Sequence, residues 1–239
     1  MPPIAKLDSV SKVYGNFAAL RQVTVEFERG ACYVLLGENG AGKSTLLRML
    51  AGLLRPTHGS IRIFGDGPSA SVGVPPEKVR DRIGYMAHAP MMYDELTALE
   101  NLLYFANLFD PGACLDPVDA LLSVGLEPRL ERKFGEYSQG MKQRASLARV
   151  LLSSPRLLLL DEPFSNMDVA SAQQMIALLA RQRQAGRSIL LTTHQRDLAA
   201  PLADHFLTLE AGRIASLEPG PAAPLGPDPV SAEVAEARP

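Results

Sequence analysis

The sequence predicts an α/β fold: a parallel sheet core flanked by helices, with antiparallel strands ahead of it and helices inserted within it. Three observations predict this. The apolar run Ala31-Cys32-Tyr33-Val34-Leu35-Leu36 meets the loop Gly37-Glu38-Asn39-Gly40-Ala41-Gly42-Lys43-Ser44-Thr45, and leucines at helical spacing follow, which gives strand, glycine loop and helix in succession. Leu157-Leu158-Leu159-Leu160 is apolar without interruption and ends in Asp161-Glu162, as a strand buried on both faces would. Residues 4–29 alternate instead, as in Val23-Thr24-Val25-Glu26-Phe27, the pattern of half-buried antiparallel strands.

The elements follow in order. Val13-Tyr14-Gly15 sits between the first strands; a tyrosine beside a glycine turn reads as a partly buried surface aromatic or as a platform for a flat base. Leu46, Leu47, Leu50, Leu53 and Leu54 carry a helix through Ala51, and Arg55-Pro56-Thr57-His58-Gly59 breaks it. Ser60-Ile61-Arg62-Ile63-Phe64 is a strand, and the Pro-, Gly- and Ser-rich segment 66–79 an exposed loop. Arg82-Ile83-Gly84-Tyr85-Met86 is a strand leading to His88. Residues 95–109 (opened by Thr97 and Glu100), 116–124 and 139–152 are helices. The last turns Met141, Leu147, Val150 and Leu151 inward and leaves Lys142, Arg144 and Arg149 exposed. Together they make a helical subdomain at 89–155. A helix over 168–184 stops at Gly186, and Ser188 to Thr193 is a strand ending at His194. His205 to Leu209 and Arg213 to Leu217 form a closing hairpin around Ala211-Gly212. One domain over 1–217 is expected, then a disordered Pro- and Ala-rich tail at 218–239.

The chain has 239 residues, 46% of them hydrophobic, enough for a sizeable core. Its formal net charge of −2 and pI of about 6.1 argue against a nucleic-acid partner. The apolar runs are far too short to cross a bilayer, and Met1-Pro2-Pro3-Ile4-Ala5-Lys6 lacks the parts of a signal peptide. Cys32 and Cys114 do not make a disulfide framework; Cys32 reads as a small core residue in a strand. A cytosolic location is the simplest expectation.

Gly37 to Thr45 fits G-x-x-x-x-G-K-[ST] in full. Gly37, Gly40 and Gly42 let the backbone turn tightly and approach a phosphate. Successive N–H groups then face one concavity, and the helix starting near Lys43 adds its positive end. Lys43 supplies a point charge for β- and γ-phosphates, and the Ser44 hydroxyl can ligate Mg²⁺. Asp161 and Glu162 end a buried strand, at the sheet edge that faces the nucleotide in such folds. The first can hold Mg²⁺ through water, and the second can deprotonate an attacking water. His194 ends the next apolar strand and points to the same edge.

With these motifs in place, the chain resembles the ATP-binding cassette (ABC) ATPases over about residues 4–217. Gly37 to Thr45 matches Walker A, and Leu157 to Asp161 matches Walker B with Glu162 as expected catalytic base. Tyr137-Ser138-Gln139-Gly140-Met141-Lys142-Gln143-Arg144 looks like the signature motif, Ser165-Asn166-Met167-Asp168 the D-loop, His194 the switch histidine, and Tyr14 the aromatic that stacks on adenine. The resemblance implies a P-loop NTPase of ABC type: a RecA-like parallel core with an antiparallel β subdomain and an inserted helical subdomain. It implies ATP and Mg²⁺, the latter at Ser44 and Asp161. It also implies a head-to-tail homodimer in which Ser138, Gln139 and Gly140 meet the partner's ATP. Integral membrane subunits would receive the work through a coupling helix, so the chain would lie peripherally on the cytoplasmic face of the membrane.

Three departures stand out. Gln139 and Met141 replace the usual glycine and glutamine of the signature, His88 replaces the Q-loop glutamine, and Asn166-Met167 replace small D-loop residues. His88 can act through water or as an interdomain sensor, since Mg²⁺ prefers oxygen ligands. Tyr85-Met86-Ala87-His88, Asp94 to Leu102 and Thr192-Thr193-His194-Gln195 are similar to the haem-exporter ATPases of cytochrome c maturation, the preferred assignment. Tyr137 to Arg144 looks more like the ATPases of drug and polysaccharide exporters, the alternative. A non-transport cassette ATPase would usually carry two cassettes, a coiled coil or zinc-binding cysteines. A dead nucleotide sensor would not keep Lys43, Asp161, Glu162 and His194.

Overall fold

The computed structural model describes residues 2–64, 82–110 and 112–222. Its strands are β1 (Ala5–Tyr14), β2 (Phe17–Phe27), β3 (Cys32–Leu36), β4 (His58–Ile63), β5 (Ile83–Met86), β6 (Leu157–Asp161), β7 (Ser188–Thr192), β8 (His205–Glu210) and β9 (Arg213–Pro219). Its helices are α1 (Lys43–Leu50), α2 (Ala98–Ala106), α3 (Pro117–Ser123), α4 (Gln139–Leu151), α5 (Val169–Gln184) and the short α6 (Arg196–Ala199).

The alternating segment forms an antiparallel sheet in the order β2-β1-β4. The larger sheet runs β5-β6-β7-β3-β8-β9; its first five strands are parallel and β9 returns antiparallel to β8. The uninterrupted leucines of β6 are explained by two cores, one on each side of this sheet. Leu158 and Leu160 join one with α2 to α5, while Leu157 and Leu159 join the other with α1 and the antiparallel sheet. β3 splits the same way, with Cys32, Val34 and Leu36 on the helical side and Tyr33 and Leu35 on the other. A leucine cut to alanine in such a strand costs about 2–5 kcal/mol.

Local signals place the helix starts. Thr97 caps α2 through the Glu100 amide while Glu100 accepts from the Thr97 amide, a reciprocal capping box. Asp116 caps α3 with Pro117 behind it. From within α2, the fully buried Asn101 holds the turn that precedes the helix. Its side-chain oxygen accepts from the Tyr93 amide, and its amide donates to the Tyr93 and Thr97 carbonyls. Ala211 and Gly212 both take positive φ between β8 and β9, as a two-residue hairpin turn requires.

Several sequence expectations change. The helix ends at Leu50 with Ala51 as its cap, so Leu53 and Leu54, expected to share its spacing, fall beyond it, and Leu53 is 65% exposed. Gly52 at φ 71° stops it, because the chain must turn back into β4. Lys142, Arg144 and Arg149, expected in solvent, are half-buried. Lys142 lies over the Phe134 ring, Arg144 donates to the Gly125 carbonyl, and Arg149 covers Phe105 and reaches the Tyr85 carbonyl. Long cationic stems readily cover apolar surface in this way. β9 runs two residues past Leu217, and the amides of Gly220 and Ala222 then bond to Asp204 and Ala203. The loop expected at 66–79 and most of the expected tail, 223–239, lie outside the described residues.

Candidate active site

The C-terminal ends of β3, β5, β6 and β7 share one edge of the parallel sheet, and the candidate residues gather there. β3 leads into the glycine loop. Gly42 at φ 106° precedes α1, and a Cβ there would stand 2.6 Å from the Ala19 carbonyl. Gly37 is packed against the Leu209 carbonyl, so it too admits no side chain. Lys43 turns back over the loop, its ammonium donating to the Gly37 and Glu38 carbonyls at 2.7 and 3.2 Å.

The Ser44 hydroxyl donates to Asp161 Oδ1 at 2.9 Å. Thr192, at the end of β7 and fully buried, donates to the same oxygen at 2.8 Å and accepts from the Glu162 amide at 2.9 Å. Glu162 has φ 53°, a left-handed conformation unusual for a non-glycine residue. Its carboxylate Oε2 lies 3.4 Å from His194 Nδ1.

A cleft of about 480 Å³ opens over this edge. Of the expected residues, Tyr14, Glu38, Asn39, Gly40, Gly42, Lys43, Ser44, Thr45, His88, Asp161 and Glu162 line it. Gly37 and Ala41 lie within the loop itself, and His194 reaches the cleft through Glu162. Phe17 and Ala19 also line it. Phe17 pairs with Tyr14 across the Gly15-Asn16 turn, so the two rings project from one face; the two-residue turn was the signal that could have found Phe17. Tyr14 is 49% exposed, with the Lys12 ammonium 5.1 Å from its ring centroid. Thr192 entered the sequence reading only within Thr192-Thr193-His194-Gln195, and its tie to both carboxylates gave no signal there.

Ser138, Gln139, Gly140 and Asp168 do not line the cleft. Ser138 caps α4 by accepting from the Met141 amide, so its hydroxyl proton stays free for another acceptor. Asp168 caps α5, accepting from the amide and hydroxyl of Ser171 at 2.9 and 2.8 Å. These bonds hold the Asp168 carboxyl below its usual range.

The Mg²⁺ expectation can be tested on these atoms. Ser44 Oγ and Asp161 Oδ1 are adjacent hard oxygens facing the cleft, the donor type Mg²⁺ takes. Among the described residues no cluster of three or more acidic, histidine or cysteine side chains could hold a metal alone. The set therefore fits an ion shared with phosphate oxygens and water. No helix among the described residues is long and apolar enough to cross a membrane.

The family model described as "ABC transporter" matches residues 20–165. A fluoroquinolones export ATP-binding protein of Mycobacterium tuberculosis is 39% identical over 84% of this chain and 65% of its own length. The bacitracin transport ATP-binding protein of Bacillus licheniformis is 34% identical over 90% of this chain and 69% of its own. The chain thus spans about two thirds of the length of these curated relatives. An ATP-binding cassette solved as a dimer in a post-hydrolysis state with ADP and Pi matches with TM-score 0.79 and 26% identity, covering 90% of this chain and 98% of that one. With the glycine loop, the Asp161-Glu162 pair and this fold in one place, the chain belongs to the ABC transporter family and carries its ATP-binding domain.

Proposed function

We propose that this chain is the ATP-hydrolysing subunit of a small-molecule exporter, acting as a homodimer docked to separate membrane subunits. The observation that carries the ATPase reading is the Ser44–Asp161–Thr192–Glu162 network at the floor of the cleft. Gly37 to Thr45 cradles the phosphates with backbone N–H groups, and Lys43 exchanges its loop carbonyls for β- and γ-phosphate oxygens. Tyr14, with Phe17 opposite, stacks on the base. Ser44 and Asp161 hold Mg²⁺, which when bound neutralises charge developing on the phosphates. Glu162 accepts a proton from water as the water oxygen bonds to the γ-phosphorus and the bond to ADP breaks. His194, 3.4 Å from that carboxylate, orients it, and His88 senses the nucleotide from the β5 side.

The exporter reading draws on the names of the relatives, which are drug and antibiotic transport proteins. They favour the drug and polysaccharide exporter assignment over the haem export preferred from His88 and its neighbours. The dimer draws on the cassette solved with ADP and Pi. Ser138, Gln139 and Gly140 would meet the partner's ATP, with Asp168 beside them. The membrane subunit would dock near Tyr93 and Tyr104, whose rings meet edge to face and are both 46% exposed. A peripheral place on the cytoplasmic face of the membrane follows.

The test is a strain carrying only Glu162→Gln. Heightened sensitivity to a panel of amphipathic drugs, with normal haem staining of c-type cytochromes, is expected. Lost holocytochrome with unchanged drug sensitivity would return the assignment to haem export.

A further inference from the structure

Ser138 and Gln139 are exposed, yet Gly140 beside them is buried. Gly140 is the second residue of α4 and is absent from the positive-φ positions, so its backbone does not demand glycine. Space does. A Cβ at Gly140 would lie 2.6 Å from Ser171 Oγ and 2.8 Å from Ser171 Cβ, with Met167 Cε at 3.7 Å. Turning the Ser171 hydroxyl aside would break its 2.8 Å bond to the Asp168 carboxylate and would leave Cβ in place, since the Ser171 amide is held by the same carboxylate at 2.9 Å. Further along α4, the buried Gln143 places Nε2 3.5 Å from Ser165 Oγ. The first turn of α4 is therefore seated on the segment 165–171 of the same chain.

We propose that Ser171 is a positioning residue. Clamped by Asp168, it seats Gly140 and fixes the Ser138-Gln139-Gly140 turn relative to the loop that ends at Asp168. The two are then presented to the partner's nucleotide as one piece, a consequence that rests on the dimer reading above. Glycine at 140 answers to the serine behind it rather than to a phosphate in front of it.

The test uses the full chain with Gly140→Ala, Ser171→Gly, Ser171→Ala and both double variants. Thermal midpoints are read without nucleotide. ATP-driven dimerisation is read by light scattering with Glu162→Gln added to every variant. Gly140→Ala is expected to lower the midpoint and weaken the dimer at least tenfold. Ser171→Gly alone should weaken the dimer, because the turn loses its seat, and adding it to Gly140→Ala should bring both readings up to that level; a Ser171→Gly dimer as tight as wild type overturns the positioning role. Ser171→Ala should restore them only in part, since its Cβ still stands 2.8 Å from the new methyl. An unchanged midpoint in Gly140→Ala, or a double variant no better than the single, overturns the proposal. Should Gly140→Ala fail to fold, a folded double with Ser171→Gly upholds it and an unfolded one overturns it. A midpoint that falls and recovers while the dimer stays unchanged keeps the seating of Gly140 and overturns its role at the nucleotide.

Discussion

Thr192 ties the two carboxylates of the site together: its hydroxyl donates to Asp161 and receives the Glu162 amide. Replacing it by valine keeps the branched shape but leaves the Glu162 amide unpaired next to a buried strand end. Thr192→Val should cost about 1–3 kcal/mol of stability, read from the urea midpoint, and should lower ATP turnover more than ATP affinity. An unchanged turnover would show that Glu162 holds its left-handed turn without this bond. The residues of the glycine loop and the Asp161-Glu162 pair were legible from type and spacing, because their chemistry requires those side chains. Thr192 and Phe17 were not, because their roles come from register across strands that are distant, or just turned, in the chain. Cys32 was legible as a core residue, and burial pushes its thiol well above the usual range. A thiol reagent at pH 8 should modify Cys114 alone in the native chain and both cysteines after unfolding; native labelling of Cys32 would contradict its burial.

At the scale of elements, α5 is held at both ends. At its start the Asp168 carboxyl lies below its ordinary value because Ser171 donates to it twice. A depressed carboxylate stabilises the fold above the unfolded value, about 3.9, and loses that contribution as pH falls through the folded value. Asp168→Asn should therefore be less stable than wild type at pH 6, with the difference closing below about pH 4. A difference that did not shrink at all as the pH fell below 4 would rule out the ionised cap. Near its other end Arg183 pairs with Asp204 in two hydrogen bonds, and Asp204 also accepts from the Cys32 amide at 2.7 Å. This joins the helix to the start of β3. Arg183→Met leaves that carboxylate half-buried without its cation, at a cost of roughly 3–5 kcal/mol, visible as a lower urea midpoint. The sequence showed where α5 begins and ends through Asp168 and Gly186, but not this pair. Arg183 reads as one more surface cation in Arg181-Gln182-Arg183 until the strand order brings Asp204 beneath it.

For the whole molecule, the parallel sheet is what brings motifs far apart in the chain to one edge. Strand identity was readable because β3, β6 and β7 are buried on both faces and therefore uninterrupted in their apolar character. Strand order was not readable from periodicity; the order β5-β6-β7-β3-β8 sets His88, Glu162 and Lys43 around one cleft, with His194 behind Glu162. The seating of α4 on the segment after β6 was likewise hidden, since Gly140 and Ser171 are separated by a full helix and strand. The central claim is that this cleft hydrolyses ATP with Glu162 as base. It is tested most directly by measuring ATP binding and turnover together in wild type and Glu162→Gln. Unchanged binding is expected, with turnover reduced by about 10²–10⁴-fold. Turnover within a few-fold of wild type would contradict it.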